Sequence, residues 1–335
     1  SEVATIKLDL DGTVVVSLGS TPSGQGHETT TAQVVADELG IRPDMVEVRT
    51  GFDTAFNSHG GHSGSYASQF AVTGLSAAHG ACQKLKKEMK KLAAFALEAN
   101  EDDLEFGIGQ QGPELRVKGT DRSINYWGLS AMVNINTASQ PPELADITLN
   151  IRHVYRPPFK IPDTDKKFGN LTLTYASQLH IAVIEIDTKT YVPQILAYAA
   201  VDDCGNVINP KIVAGQVHGA TAHGIGAAMM EAYIYDKEAN LLTSTFTDYT
   251  PITVMNMPDL AYGDIETPSP FSYNGAKGMG EGGGAPLHTI CAAIQDALFD
   301  KGVVVRNTFN PPSDIYRLLK NPNWAECVKV ERRAA

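Results

Sequence analysis

"TPSGQGHETTTAQVVADELGI", residues 21–41, passes from a glycine loop into a helix within one short stretch. Ala32, Val35, Ala36 and Leu39 fall on one helical face, Gly24 and Gly26 free the backbone ahead of the first turn, and Gly40 is the stop. On its amino side, "ATIKLDLDGTVVVSLGS" (4–20) alternates as two strands turning at Asp11-Gly12. On its carboxyl side "VEVRT" (46–50) reads as a further strand. Strands and helix therefore share one lobe.

Outward from there, "GFDTAFNSHGGHSGSYASQ" (51–69) is a long polar loop, and a long helix is expected from about Ser68 to Asn100. "GIGQQG" (107–112) is a turn between weak strands. The proline-bearing stretch "RPPFKIPDTDKKFGN" (156–170) marks a boundary, giving a first lobe over 1–160, a second over 161–325 and a tail over 326–335. In the second lobe "QLHIAVIEIDTKTYVPQILAYAAVDDCG" (178–205) reads as a long hairpin. "NPKIVAGQVHGATAHGIGAAMMEA" (209–232) reads as a helix with Asn209 as cap and Pro210 at its first position. A last clear helix carries Leu287, Ile290, Ile294 and Leu298 on one side. The fold class is α+β with two mixed lobes.

The 335 residues suffice for a large core, and 43% apolar against 19% charged residues is the balance of a chain that folds. A net charge of −11 argues against general affinity for nucleic acid or anionic membranes. The basic cluster "KLKKEMKK" (84–91) keeps its apolar residues at helical spacing, so its lysines face water. Cys82, Cys204, Cys291 and Cys327 form no CxxC pair and build neither a zinc site nor an iron–sulfur centre by local spacing. No apolar stretch spans a bilayer, and no basic segment followed by an apolar run is visible at the start, so a reduced, cytoplasmic protein is expected.

Chemistry gathers at the glycines. "GMGEGG" (278–283) fits the dinucleotide pattern G-x-G-x-x-G, yet no buried strand precedes it, and Glu281 would face a phosphate across the N–H groups meant to cradle it. A nicotinamide site is disfavoured. Either Glu281 projects into a cavity as a proton acceptor while the glycines let a ligand approach, or it caps the following helix. "SGQGHETT" (23–30) is either a capped turn or an anion site at a helix start, with Gln25 adding a donor and an acceptor. Gly215, Gly219, Gly224 and Gly226 permit close approach of another helix or of a flat ligand. Three such segments point to a large polyphosphate-bearing cofactor gripped by backbone. His59 and His62 lack acidic or cysteine neighbours, and His218 and His223 fall on different helical faces, so no histidine metal site is expected.

Together, "GQGHETTTAQVVADELGI", "VDDCGNVINPKIVAGQVHGATAHGIGAAMMEA" and "KGMGEGGGAP" resemble the molybdenum hydroxylases of the xanthine dehydrogenase family. The resemblance is to the second molybdopterin-binding domain of that family's large subunit, encoded apart from the first as in nicotinate dehydrogenase. It implies molybdopterin cytosine dinucleotide holding molybdenum with a sulfido or selenido ligand, and no protein ligand on the metal. It also implies a second molybdopterin-binding subunit, partner subunits carrying 2Fe-2S clusters and FAD, a small-molecule substrate and a dimer of heteromers.

Residue by residue, the resemblance makes Glu281 the general base and assigns Gln25, Gly26, His27, Glu28 and Thr29 to the pterin dinucleotide. Gly64, Ser65, Tyr66, Ala67 and Ser68 match the loop at the dinucleotide end; Cys204 and Gln216 match positions near the pterin phosphate; and Gly278, Met279 and Gly280 lead into the active loop. Gln69 departs from the arginine of many relatives and His223 from their glutamine. The implied activity is hydroxylation of an N-heteroaromatic or aldehyde carbon with oxygen from water. The alternatives are a non-catalytic half-subunit that only holds the cofactor, and a molybdenum-dependent hydratase.

Overall fold

The computed structural model describes residues 1–54, 65–137, 140–158, 160, 162–170, 174–280, 282 and 284–321. The chain forms two compact units. Unit 1 takes Ser1–Tyr175 and two later returns, Gly205–Asn209 and Thr267–Gly278; unit 2 holds the remaining described residues.

Unit 1 is built on strands β1 (Glu2–Leu8), β2 (Val14–Leu18), β3 (Val46–Thr50) and β7 (Asn150–Tyr155), ordered β3-β2-β1-β7. β1 and β2 pair antiparallel across the expected Asp11-Gly12 turn, whereas β3 lies parallel to β2. Parallel neighbours need a crossover, and helix α1 (His27–Leu39) supplies it, ending at Gly40 as its apolar spacing requires. Helix α2 (Phe70–Ala96) packs on β1, β7 and α1. Leu75, Leu85, Met89 and Leu92 of α2 join Ile6, Val16 and Leu39 in a dry core.

α2 starts two residues later than expected because Ala67 and Ser68 are left-handed, φ 53° and 48°, which a continuing helix forbids. At its far end α2 stops at Ala96, short of the expected Asn100, which instead caps a separate short turn and accepts from Asp102 N. A second sheet joins β4 (Leu104–Gly109), β5 (Gly112–Val117) and β6 (Ser123–Asn125), with "GIGQQG" as the β4–β5 turn, and α3 (Tyr126–Asn134) follows. The two returns join each other by a Gly205–Ala276 bridge, and the second docks on α2 by Tyr273 N donating to Ser76 Oγ at 3.2 Å and by a His79–Tyr273 ring stack.

Unit 2 carries the expected hairpin, β8 (Ser177–Ile186) with β9 (Pro193–Asp203), to which β10 (Leu260–Asp264) adds in parallel. Helix α4 (Pro210–Met229) opens on its proline as read from sequence. The single turn α5 (Phe246–Tyr249), helix α6 (Gly284–Ala297) and helix α7 (Pro312–Lys320) complete it. One face of the sheet meets α6, and Tyr198, Ile225, Ile290, Ile294 and Ile315 form the core. Among the described residues, no helix is long and apolar enough to cross a membrane.

Candidate functional site

The parallel pairing of β2 with β3 decides where the loops of unit 1 lie. Both strands end at the same edge of the sheet, so the chain leaves β2 toward α1, and leaves β3 toward α2, from one side. Gly51 N donates to Leu18 O at 3.0 Å, closing that edge, and Ser65 Oγ donates to Thr21 O at 2.7 Å across the two loops. His27, first residue of α1, then stacks flat on Phe70, first residue of α2, with centroids 3.5 Å apart. Two helix starts separated by 43 positions in sequence are thereby side by side.

Among the described residues neither start carries a side-chain cap: Gly26 precedes α1 with φ 74°, and Gln69 precedes α2. The opening N–H groups of a helix have no partner within it, and the dipole adds positive potential there. Glu28, the acid in the first turn of α1, is exposed and accepts from Thr50 Oγ1 at 2.9 Å. Gln25 is half-buried and accepts from Ser23 N, while Thr29 is exposed.

Three buried polar atoms here have no hydrogen-bond partner among the described residues: Ser68 Oγ, His27 Nδ1 and Thr31 Oγ1. Orphans of that kind are costly unless a ligand or water meets them. His27 is 4% exposed, and burial pushes its pKa down to about 4, so the ring is neutral. Gly278 lies against this turn, and a Cβ at that position would run into the Ser68 carbonyl oxygen. Of the expected cofactor residues, the segments 25–29, 65–68 and Gly278 are thus brought together in unit 1.

The others belong to unit 2. Cys204, at the end of β9, is buried, and burial pushes its thiol up to about 11, with Asp264, Asp202 and Asp203 adding to the effect. It stays protonated at neutral pH, which suits a packing residue better than a metal ligand. Gln216 is half-buried in α4, Met279 half-buried and Gly280 exposed. Gly282 is buried, and a Cβ there would meet Gln178 Nε2 at 2.7 Å and Ala220 Cβ at 3.2 Å, so a larger residue would have to displace the Gln178 amide. Glu281 and Gly64 lie outside the described residues, as do His59, His62 and Cys327, and for Tyr66 only the backbone is described. No group of three or more metal-binding side chains occurs among the described residues.

Sequence reasoning missed Asp202. It is 1% exposed, sits opposite Gln178 in the β8–β9 pairing, and burial pushes its carboxyl up to about 6 against the partial help of the Gln178 amide. Its signal was a doubled acid, Asp202-Asp203, inside an apolar strand pattern.

The family model described as the molybdopterin cofactor-binding domain matches residues 1–258. The chain belongs to that family. Among curated relatives it is 32% identical to the carbon monoxide dehydrogenase large chain of Hydrogenophaga pseudoflava, over 96% of this chain and 37% of the relative. It is 33% identical to the nicotine 6-hydroxylase large subunit of Paenarthrobacter nicotinovorans, over 95% and 37%. The solved quinoline 2-oxidoreductase of Pseudomonas putida 86 superposes with a TM-score of 0.78 at 34% identity, covering 96% of this chain and 38% of that one. The α+β fold is that of the molybdenum hydroxylases, and the chain spans little more than a third of the length of these relatives.

The residues of unit 1 fit a molybdopterin cofactor. Helix starts without a side-chain cap suit a phosphate group, the orphaned Ser68 hydroxyl offers a donor, and Gly278 leaves open the space that a side chain would fill.

Proposed function

We propose that this chain supplies the second molybdopterin-binding domain of a multisubunit molybdenum hydroxylase that oxidatively hydroxylates an N-heteroaromatic or aldehyde carbon with oxygen from water. The reading is carried by the meeting of two uncapped helix starts, the left-handed Ala67–Ser68 turn and Gly278 on one edge of unit 1. Two consecutive non-glycine residues at positive φ cost on the order of 1–3 kcal/mol each, and such strain collects where a ligand is held.

When bound, the molybdenum centre supplies a two-electron acceptor beside the substrate. The chain's own work is binding, positioning and proton transfer. N–H groups opening α1 and α2, with Gln25 and Ser68, hold the pyrophosphate of a cytosine dinucleotide. Neutral His27, wedged on Phe70, keeps the two helix starts in register without adding a charge that would have to be desolvated. The Glu281 carboxylate, next to Gly282 in sequence, takes the proton of the attacking water. Electrons pass to iron–sulfur and flavin subunits of a cytoplasmic dimer of heteromers, and a second molybdopterin-binding polypeptide completes the cavity.

The test is purification of the complex through this chain from its native host, with molybdenum and acid-released nucleotide measured per copy. Near-stoichiometric molybdenum with cytidine nucleotide is expected; intact partners with neither would overturn the reading. Glu281→Gln should then keep both while turnover falls by roughly 10²- to 10⁴-fold.

A further inference from the structure

Ser76, His79, Gln83 and Lys86 of α2 recur at steps of three and four residues and so share one face of the helix. The far half of this stripe is tied to α1. Glu38 accepts from Lys86 Nζ at 2.7 Å and from Gln83 Nε2 at 2.5 Å, and its other oxygen stands 3.2 Å from His79 Nε2. The near half holds the second return. Tyr273 lays its ring on the His79 imidazole, centroids 4.6 Å and planes 22° apart, while its N–H donates to Ser76 Oγ at 3.2 Å. Two residues earlier, the Phe271 carbonyl accepts from the Tyr155 hydroxyl of β7. The return is thus clasped from two elements of unit 1.

The clasp stands close to the cofactor edge along both chains. Ser76 follows Phe70 by six residues, about 9 Å at the helical rise. Gly278 follows Tyr273 by five, and those five have little slack: Ser269 N donates to Gly275 O at 2.8 Å, Ala276 N donates to Asn274 Oδ1 at 3.1 Å, and Ala276 bridges to Gly205. Gly278 ends this segment so near Ser68 that a methyl group would overlap the Ser68 carbonyl. Ala67 and Ser68 are the left-handed pair, and backbone of that kind persists only where its surroundings over-determine it.

We propose that Tyr273, clasped by Ser76 and His79, is a positioning residue for the cofactor: it fixes the second return on α2, so that Gly278 bears on Ser68 and keeps the left-handed turn in place. The proposal rests on the reading of this edge as the cofactor site. The orphaned Ser68 hydroxyl and the start of α2 then hold one geometry before any ligand arrives, which lowers the ordering cost of binding. The clasp uses the ring and the backbone N–H of Tyr273; its hydroxyl enters neither contact. Phenylalanine therefore preserves it and leucine breaks the stack. A residue that only filled the core would loosen unit 1 as a whole when replaced, whereas loss of a clasp loosens the turn and the first turn of α2 alone.

The experiment takes Tyr273→Leu, Tyr273→Phe and Ser76→Ala. In the whole chain without cofactor, hydrogen exchange is followed at the Val72 and Thr73 amides, which bond to Gln69 O at 3.0 and 2.8 Å and so report on the first turn of α2. Exchange there should quicken ~3- to 10-fold in Tyr273→Leu and ~3-fold or more in Ser76→Ala, with β1, β2 and the middle of α2 unchanged and Tyr273→Phe like wild type. In complexes purified from the native host, bound nucleotide per copy after dialysis should fall ~3-fold or more in Tyr273→Leu and stay at the wild-type level in Tyr273→Phe. Wild-type nucleotide in Tyr273→Leu would overturn the proposal, as would an equal loss in Tyr273→Phe. Loosening of β1 and β2 as large as that of Val72 and Thr73 would do the same. A wild-type complex with neither molybdenum nor nucleotide would sink the cofactor reading instead, and the clasp would then stand or fall on the Val72 and Thr73 exchange.

Discussion

Replacing His27 with Gln in the cofactor-free chain should flatten the loss of stability that acid imposes on unit 1. The imidazole is 4% exposed, stacked on Phe70, and leaves Nδ1 without a partner among the described residues, so burial holds its pKa down at about 4 against an ordinary 6.5. The unfolded chain binds the proton first. Between pH 6.5 and 4 the unfolded state therefore carries more protons, and stability must fall as pH falls through that window, being fully present above it. The gap corresponds to about 3 kcal/mol in full, of which about 2 kcal/mol is lost by pH 5. Glutamine removes the titration but also the ring stack, so the variant starts weaker at pH 7.5; the slope is the readout. Urea unfolding at pH 7.5, 6 and 5, with hydrogen exchange of β1, β2 and α1 reporting on unit 1, gives that slope for both chains. An undiminished acid-induced loss in the variant would show that His27 is not held neutral by its burial.

Asp202 should act with the opposite sign. Its folded pKa of about 6 lies above the ordinary 3.8, so unit 2 loses stability as pH rises through 4 to 6, and Asp202→Asn should recover up to about 3 kcal/mol at pH 7, read from denaturant midpoints. Gly278→Ala should lower bound nucleotide by ~10-fold or more, since its methyl collides with backbone at Ser68, whereas Gly284→Ala, with open space around it, should leave nucleotide content unchanged. Glu281→Gln should separate cofactor content from turnover, and full turnover in that variant would remove the base assignment.

Local elements were legible where one period dominated. The α1 stripe, the Gly40 stop, the Asp11-Gly12 turn, the β8–β9 hairpin and the proline opening of α4 all follow from residues a few positions apart. Helix α7 carried a signal that could have been read, Pro312 at its first position with Ile315 and Leu318 three apart. β10 could not be read as a parallel neighbour of β9, because its five residues name no partner. The cofactor segments were recognisable as motifs, but the left-handed turn at Ala67–Ser68 was not, since alanine and serine rarely adopt it without surroundings that impose it.

Residues near one another in the chain were enough to mark α1, most of α2, α4, the β8–β9 hairpin and the glycine loops, and to show that several of those loops suit a cofactor. Local periodicity and backbone permissiveness are properties of neighbours in the chain. Only the tertiary structure decided that β2 and β3 run parallel and present both loops at one edge, that Gly205–Asn209 and Thr267–Gly278 return to unit 1, and that β8 keeps an uncovered apolar face. Those outcomes depend on pairing between residues tens to hundreds of positions apart, where many partners satisfy the local pattern equally and only the competition to bury a shared core selects one.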